Sequence, residues 1–201
     1  MRTTRIAISA LYLIGCAVLA GLCGCGGSSY SSLSSNVSLT QVAFMGDSIT
    51  SFWSLPVVNL GVPGNTTSLM LARFPDEVTG HGYQIVVILG GINDLTHNQT
   101  PEEALANITK MAQAARSAQI DVVLCELTPD FQENDGYDSA VRALNASIVQ
   151  LATAQHYTLV DYYDPMAGHP EYFKDGLHPT DAGYAVMAQA LLPTLTRLEE
   201  K

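Results

Sequence analysis

Five short apolar runs divide this chain, and amphipathic stretches lie between them. The runs fall at 41–46, 56–60, 84–90, 121–126 and 158–161 and predict five strands. Ile85-Val86-Val87-Ile88-Leu89 is apolar at every position, as a central parallel strand buried on both faces requires. Between the runs, Leu105, Ile108, Ala112 and Ala115 keep helical spacing behind Thr100-Pro101-Glu102-Glu103. That tetrad joins an N-cap threonine, a proline at the first helical position and a capping-box glutamate. Val141, Leu144, Ile148 and Leu151 repeat the spacing after Asp138, and Met187, Leu191, Leu195 and Leu198 mark a last helix. Leu69, Met70, Phe74 and Val78 form a less regular one. Strands alternating with helices predict an α/β domain whose parallel sheet is covered on both faces. Such sheets carry their sites at the carboxyl ends of the strands.

The first residues follow a different pattern. Arg2 and Arg5 precede an uncharged run from Ile6 to Leu22, and no charged residue follows until Asp47. A basic start before an apolar core reads as a secretory signal. Leu22-Cys23-Gly24-Cys25 resembles the lipobox of bacterial lipoproteins, which implies a signal peptide over 1–24 and a lipid on Cys25. Leu13-Ile14-Gly15-Cys16 fits the same pattern, but cleavage there leaves an apolar run on the mature chain. An uncleaved anchor helix is the other reading. Residues 25–38, rich in Gly and Ser, read as a flexible tether, and the folded domain spans 39–201. The expected location is exported and membrane-anchored, on the periplasmic face or the cell surface.

Charge and cysteine content narrow the partners. The chain of 201 residues has a formal net charge of −10, and loss of residues 1–24 removes two arginines and no acid, giving −12. An acidic chain without a basic cluster argues against nucleic acid and against electrostatic binding to anionic lipid. Three of the four cysteines lie in the amino-terminal segment, so Cys125 stands alone as a small core residue. His81, His97, His156 and His169 lack a carboxylate or cysteine at a metal-ligand spacing, so no metal site is expected.

Four motifs carry chemistry. Gly46-Asp47-Ser48 closes the first strand and sets a hydroxyl on a small-residue turn, although a serine there also serves as a helix cap. Asn59-Leu60-Gly61-Val62-Pro63-Gly64-Asn65-Thr66-Thr67 is a glycine-punctuated loop entering a helix, where Gly64 can offer a bare N–H to a substrate oxygen. Gly90-Gly91-Ile92-Asn93-Asp94 follows the most apolar strand; Asn93 can aim an amide donor across the strand ends, and Asp94 ties down the loop. Asp175-Gly176-Leu177-His178-Pro179 sets a carboxylate three residues before an imidazole, a spacing that on a helical turn makes them neighbours. All four fall on the same edge of the sheet. No Gly-x-Ser-x-Gly elbow is present, so the α/β-hydrolase class is not indicated.

Taken in order, these blocks resemble the four sequence blocks of the GDSL lipolytic enzymes, also called SGNH hydrolases, across 41–198. Gly64-Asn65-Thr66-Thr67 with Leu71-Ala72-Arg73-Phe74-Pro75, and Asp181-Ala182-Gly183-Tyr184, are similar to the platelet-activating-factor acetylhydrolase-like and acetylesterase-like branch. The resemblance implies a flavodoxin-like three-layer α/β/α fold with a five-stranded parallel sheet. It also implies a serine esterase needing no cofactor, with Ser48, His178 and Asp175 as catalytic residues and Ser48, Gly64 and Asn93 as the oxyanion hole. Short connections favour a small, acetyl-like acyl group on a carbohydrate or lipid alcohol. A lysophospholipase or thioesterase on the same residues is the competing enzyme reading. A non-catalytic glycan-binding lipoprotein is the reading from another class, and the presence of Ser48, Asn93 and His178 speaks against it. Phe52, Trp53, Tyr172 and Phe173 are candidates for lining a pocket or for the core.

Overall fold

The computed structural model describes residues 39–132 and 136–199. The expected signal peptide at 1–24, the lipidation site at Cys25, its alternative at Cys16 and the tether at 25–38 lie outside the described residues. Five strands form one sheet: β1 Val42–Gly46, β2 Val58–Gly61, β3 Ile85–Leu89, β4 Asp121–Cys125 and β5 Thr158–Val160. All neighbours pair in parallel, in the order β2-β1-β3-β4-β5. The second strand begins two residues later than its apolar run. Pro56 has no N–H to give a ladder, and the N–H of Val57 closes a turn on the carbonyl of Leu55 at 2.8 Å.

Among the described residues six α-helices accompany the strands: α1 Ser48–Ser51, α2 Thr67–Glu77, α3 Ile92–Thr96, α4 Pro101–Ser117, α5 Asp138–Gln155 and, after the last strand, α6 Asp181–Glu199. Right-handed crossovers decide their faces. From β2 to β3, β3 to β4 and β4 to β5 the chain steps the same way across the sheet, so α2, α4 and α5 share one face. The step from β1 to β2 runs the other way, which puts α1 on the opposite face, where α6 joins it. The phenol of Tyr184 on α6 donates to the carbonyl of Ile49 on α1 at 2.8 Å. This reversal between β1 and β3 is the topological switch point, where doubly wound sheets open a crevice.

Burial follows from that layering. Every residue of β1 and β3 is buried. Phe74 of α2, Met111 of α4 and Leu144 of α5 cover one face, and Trp53, Met187 and Leu191 cover the other. Trp53 stacks on Tyr184 at 5.6 Å and meets the edge of Phe44 at 5.6 Å. The expected capping box forms: Thr100 Oγ1 accepts from the Glu103 N–H at 3.2 Å, and Glu103 accepts from the Thr100 N–H at 2.9 Å. Leu69, grouped with the core of α2 by spacing, is instead 52% exposed. It stands next to Met70, and adjacent helical positions do not share a face.

The end of β1 has no room for a side chain. A Cβ on Gly46 would lie 2.0 Å from Thr50 Oγ1 and 2.7 Å from the carbonyl oxygen of Leu89. Gly46→Ala is therefore expected to lower unfolding stability by about 3 kcal/mol, the upper range for overpacking. Urea denaturation checks this; an unchanged midpoint would show that α1 and β3 move apart at little cost.

Candidate active site

The first strand delivers its chain into a turn built by one carboxylate. Asp47 caps α1, and its Oδ1 accepts from the N–H of Ile49 at 2.9 Å. Ser48 becomes the first helical residue, so no helical turn claims its own N–H. Asp47 is only 1% exposed. Burial pushes its carboxyl up to about 6, while the Ile49 N–H and the nearby His178 pull the other way. Ser48 is also buried, with 7% of its surface exposed, and its hydroxyl faces outward toward His178.

The hydroxyl, the imidazole and a second carboxylate form a continuous relay. Ser48 Oγ lies 2.9 Å from His178 Nε2, across 130 positions of sequence. His178 Nδ1 lies 2.7 Å from Asp175 Oδ2. The structure thus brings Ser48, His178 and Asp175 together, but not through the helical turn expected from their spacing. Asp175 and His178 sit before α6, in a tight loop closed by the Lys174 N–H on the His178 carbonyl at 2.8 Å and by a bridge between Phe173 and Pro179. Asp175 Oδ1 organises the loop by accepting from the N–H groups of Leu177 at 3.1 Å and His178 at 2.7 Å. An aspartate that bonds its own following backbone makes a turn without a helix. Gly176 sits at φ 83°, with its carbonyl accepting from the Phe131 N–H at 2.8 Å. Burial alone would raise the carboxyl of Asp175, but the His178 and Leu177 hydrogen bonds outweigh it and hold the group below its ordinary value.

The glycine loop and the β3–α3 turn complete the edge. Val62 donates its N–H to the Gly46 carbonyl at 3.1 Å, and Asn65 closes a turn on the Val62 carbonyl at 3.1 Å. Gly64, third in that turn, has φ 77°, the position where a type II turn needs glycine. Among the described residues the N–H groups of Ser48 and Gly64 form no hydrogen bond. Asn93, on α3, sends Nδ2 to the carbonyl of Asn65 at 3.0 Å and to Asp47 Oδ2 at 3.4 Å. It therefore bridges the glycine loop and the Ser48 turn. Asp94 ties down the loop as expected, accepting from the N–H and hydroxyl of Thr67 at 2.8 and 2.5 Å.

The four aromatic candidates separate. Trp53 and Phe173 are core residues, and Tyr172 stacks on His169. Phe52 alone of the four reaches the site: its ring centre is 5.5 Å from that of His178, and it is 52% exposed. Arg73 received no role from the sequence. Its Nε donates to Asn65 Oδ1 and its Nη2 to the Gly46 carbonyl, both at 2.9 Å. No spacing rule marks it, since Asn65 lies in the loop before α2 and Gly46 ends a strand. His81, His97, His156 and His169 are exposed. Among the described residues no group of three or more His, Cys, Asp or Glu side chains is arranged to hold a metal ion.

Comparison with known proteins points one way. The family model for the GDSL-like Lipase/Acylhydrolase family matches residues 27–186. The chain is 27% identical over 146 residues to Esterase TesA of Pseudomonas aeruginosa, covering 71% of this chain and 70% of that protein. It is 24% identical over 143 residues to an arylesterase of Vibrio mimicus, covering 70% of each. A GDSL-like lipase from Bacteroides thetaiotaomicron has a crystal structure similar to this one, with a TM-score of 0.74 at 30% identity. That match covers 78% of this chain and 87% of the other.

The buried Asp47 carboxyl has a signature in stability. Its pKa is raised in the fold from 3.8 to about 6, so the folded state holds a proton more tightly than the unfolded state. Its contribution favours folding below about pH 4 and is lost as pH rises through about 6. Between pH 4 and 7 the wild type is expected to lose about 2 kcal/mol relative to Asp47→Asn, which cannot titrate. Denaturant unfolding of both proteins at the two pH values reads this difference. A constant gap would place the carboxyl at its ordinary acidity.

Proposed function

The chain belongs to the GDSL-like lipase/acylhydrolase family and is a carboxylic ester hydrolase, and we propose that it works as a serine esterase through Ser48, His178 and Asp175. The observation that carries this reading is the relay from Ser48 Oγ to His178 Nε2 at 2.9 Å and from His178 Nδ1 to Asp175 Oδ2 at 2.7 Å. With Asp175 ionised, Nδ1 carries the proton and donates to the carboxylate, which leaves the Nε2 lone pair facing the serine. Ser48 Oγ attacks the acyl carbon as Nε2 takes its proton. The tetrahedral intermediate collapses, the bond to the alcohol breaks, and His178 returns the proton to the departing oxygen. Water then attacks the acyl-Ser48 ester, giving its proton to the same nitrogen; as the acyl–oxygen bond breaks and the acid leaves, His178 returns that proton to Ser48 Oγ.

The oxyanion is assigned to three donors: the N–H of Ser48, the N–H of Gly64 and Nδ2 of Asn93. Asn93 has two amide hydrogens. One is committed to the Asn65 carbonyl at 3.0 Å; the other makes only the long 3.4 Å approach to Asp47 and is available to a developing negative oxygen. No cofactor enters this sequence of steps.

For substrate, the reading favours a short, acetyl-like acyl group. Trp53 and Phe173 are sealed in the core, so Phe52 is the one aromatic of the four candidates left beside His178. Longer acyl chains, as in a lysophospholipase or thioesterase, are the second reading. What favours it is the exposed apolar surface of Phe52 and Val62 near the site, 52% and 40% exposed. The proposal also keeps the exported location, with attachment to the membrane through a lipid on Cys25.

A chain-length series of p-nitrophenyl esters on the purified full chain is expected to peak at acetate or propionate and to fall toward decanoate. A rising series transfers the assignment to long-chain esters, and a flat zero removes the esterase reading. Ser48→Ala is expected to abolish both turnover and labelling by a fluorophosphonate; labelling that persists means another nucleophile. Asn93→Ala is expected to lower kcat by roughly 10²–10³, the cost of one lost oxyanion donor. An unchanged kcat takes Asn93 out of the oxyanion hole.

A further inference from the structure

Three segments must be held in fixed relation for this oxyanion hole to exist, and one side chain touches two of them and reaches the third through a single residue. We infer that Arg73 is a positioning residue for the oxyanion hole, setting the glycine loop and Asn93 against the turn that carries Ser48; the inference rests on the serine-esterase reading above. The guanidinium spans the gap from α2. Its Nη2 donates to the carbonyl of Gly46, two residues before Ser48, at 2.9 Å. Its Nε donates to Oδ1 of Asn65, one residue after Gly64, also at 2.9 Å. The main-chain carbonyl of that same Asn65 accepts from Asn93 Nδ2. The third arm, Nη1, pairs with Glu77 one turn along the helix and keeps the side chain extended across the loop.

The loop needs an external tie because its own contacts are few. Val62, Pro63 and Gly64 are exposed, and a side chain added at Gly64 would meet nothing within 4 Å. Between the Val62 bond to Gly46 and the Thr67 bonds to Asp94, the main-chain bond that closes the tip is the Asn65 to Val62 turn, and the side chains of Arg73 and Asn93 tie it from outside at Asn65. A tip so lightly packed opens at low cost, and an N–H that drifts by an ångström loses most of its value to a developing oxyanion. Arg73 is well suited to the task because it is itself largely buried, its side chain 17% exposed, and because a planar fork can satisfy two carbonyl-type acceptors at a fixed angle. A lysine offers one compact ammonium and can hold one acceptor firmly, not both at that geometry.

The test compares Arg73→Met, Arg73→Lys, Asn65→Ala and the Arg73→Met/Asn65→Ala double variant in the full chain. Activity on p-nitrophenyl acetate is expressed per Ser48 titrated to completion with fluorophosphonate. Arg73→Met is expected to lower kcat by about 10–100-fold with KM within about threefold, since the donors act on the transition state more than on bound ester. Arg73→Lys is expected to recover part of that loss. Once Asn65 has lost its acceptor, removing Arg73 is expected to cost much less than it does alone. A per-site kcat of wild-type size in Arg73→Met overturns the inference, as do losses that simply multiply in the double variant. If Arg73→Met does not fold, Arg73→Lys and Asn65→Ala carry the same comparison, and full kcat in both overturns it. Hydrolysis surviving in Ser48→Ala sinks the esterase reading and this inference with it. An inactive Ser48→Ala beside a full-rate Arg73→Met sinks the clamp alone.

Discussion

Asp94 is wholly buried, and both of its oxygens are taken by a single residue, Thr67, at 2.8 and 2.5 Å. Desolvation holds its carboxyl above the ordinary value, and the two Thr67 hydrogen bonds pull it only part of the way back. A carboxylate left unpaired at such a depth would cost several kcal/mol, so the two segments that meet there are bound to stay together. One is the start of α2, where the glycine loop ends; the other is α3, where Asn93 is the adjacent residue. Asn107 of α4 adds a third partner, donating to the Thr67 hydroxyl at 3.1 Å. The distance between the Gly64 loop and Asn93 is therefore set from beneath, by a bond that never meets substrate.

The Ser48 side is built on different terms. Asp47 is buried as deeply as Asp94, with a backbone N–H at 2.9 Å and a long amide contact at 3.4 Å as its partners, and burial raises its pKa to about 6. Asp175, by contrast, is half exposed and holds its charge through hydrogen bonds from its own loop. Two carboxyls within reach of one imidazole are thus sorted by environment: the open one stays ionised and orients the ring, and the sealed one shapes the turn. Solvent screening at Asp175 makes its role chiefly geometric, fixing which nitrogen of His178 faces Ser48.

Sequence pattern was enough for the sheet, because five separated apolar runs with helix signals between them admit few other arrangements. It was also enough to put Ser48, Gly64, Asn93 and His178 on one edge, since each follows a strand. It failed where a short motif supports two local structures. Asp175-x-x-His178 makes neighbours on a helix, but here the aspartate bonds the next backbone N–H groups and Gly176 takes φ 83°, so the same closeness arises in a loop. Gly176 was the available clue, as glycine is costly inside a helix and cheap at positive φ. Arg73 was hidden for another reason. A side chain that reaches back eight residues to a loop and across to a strand end leaves no spacing rule to read.

The relay across 130 positions also needs a reason to persist. Ser48 and His178 lie on opposite sides of nearly the whole domain in sequence, and β1 and β5 are not neighbours in the sheet. The tie comes from the helical layer they share. Tyr184, only six residues past His178, buries its ring against Trp53 and gives its hydroxyl to Ile49, the residue after Ser48. Gly183 lets α6 come close enough: a Cβ there would stand 2.4 Å from the carbonyl of Tyr172. Thr180 bonds that same carbonyl through its N–H at 2.8 Å, which locks the loop carrying His178 to the start of α6. The imidazole is thus held to Ser48 by core packing one turn into α6, and the 2.9 Å contact itself carries little of the load. In the proposed mechanism that hydrogen bond breaks and reforms in each reaction, and it is best placed where the structure does not depend on it.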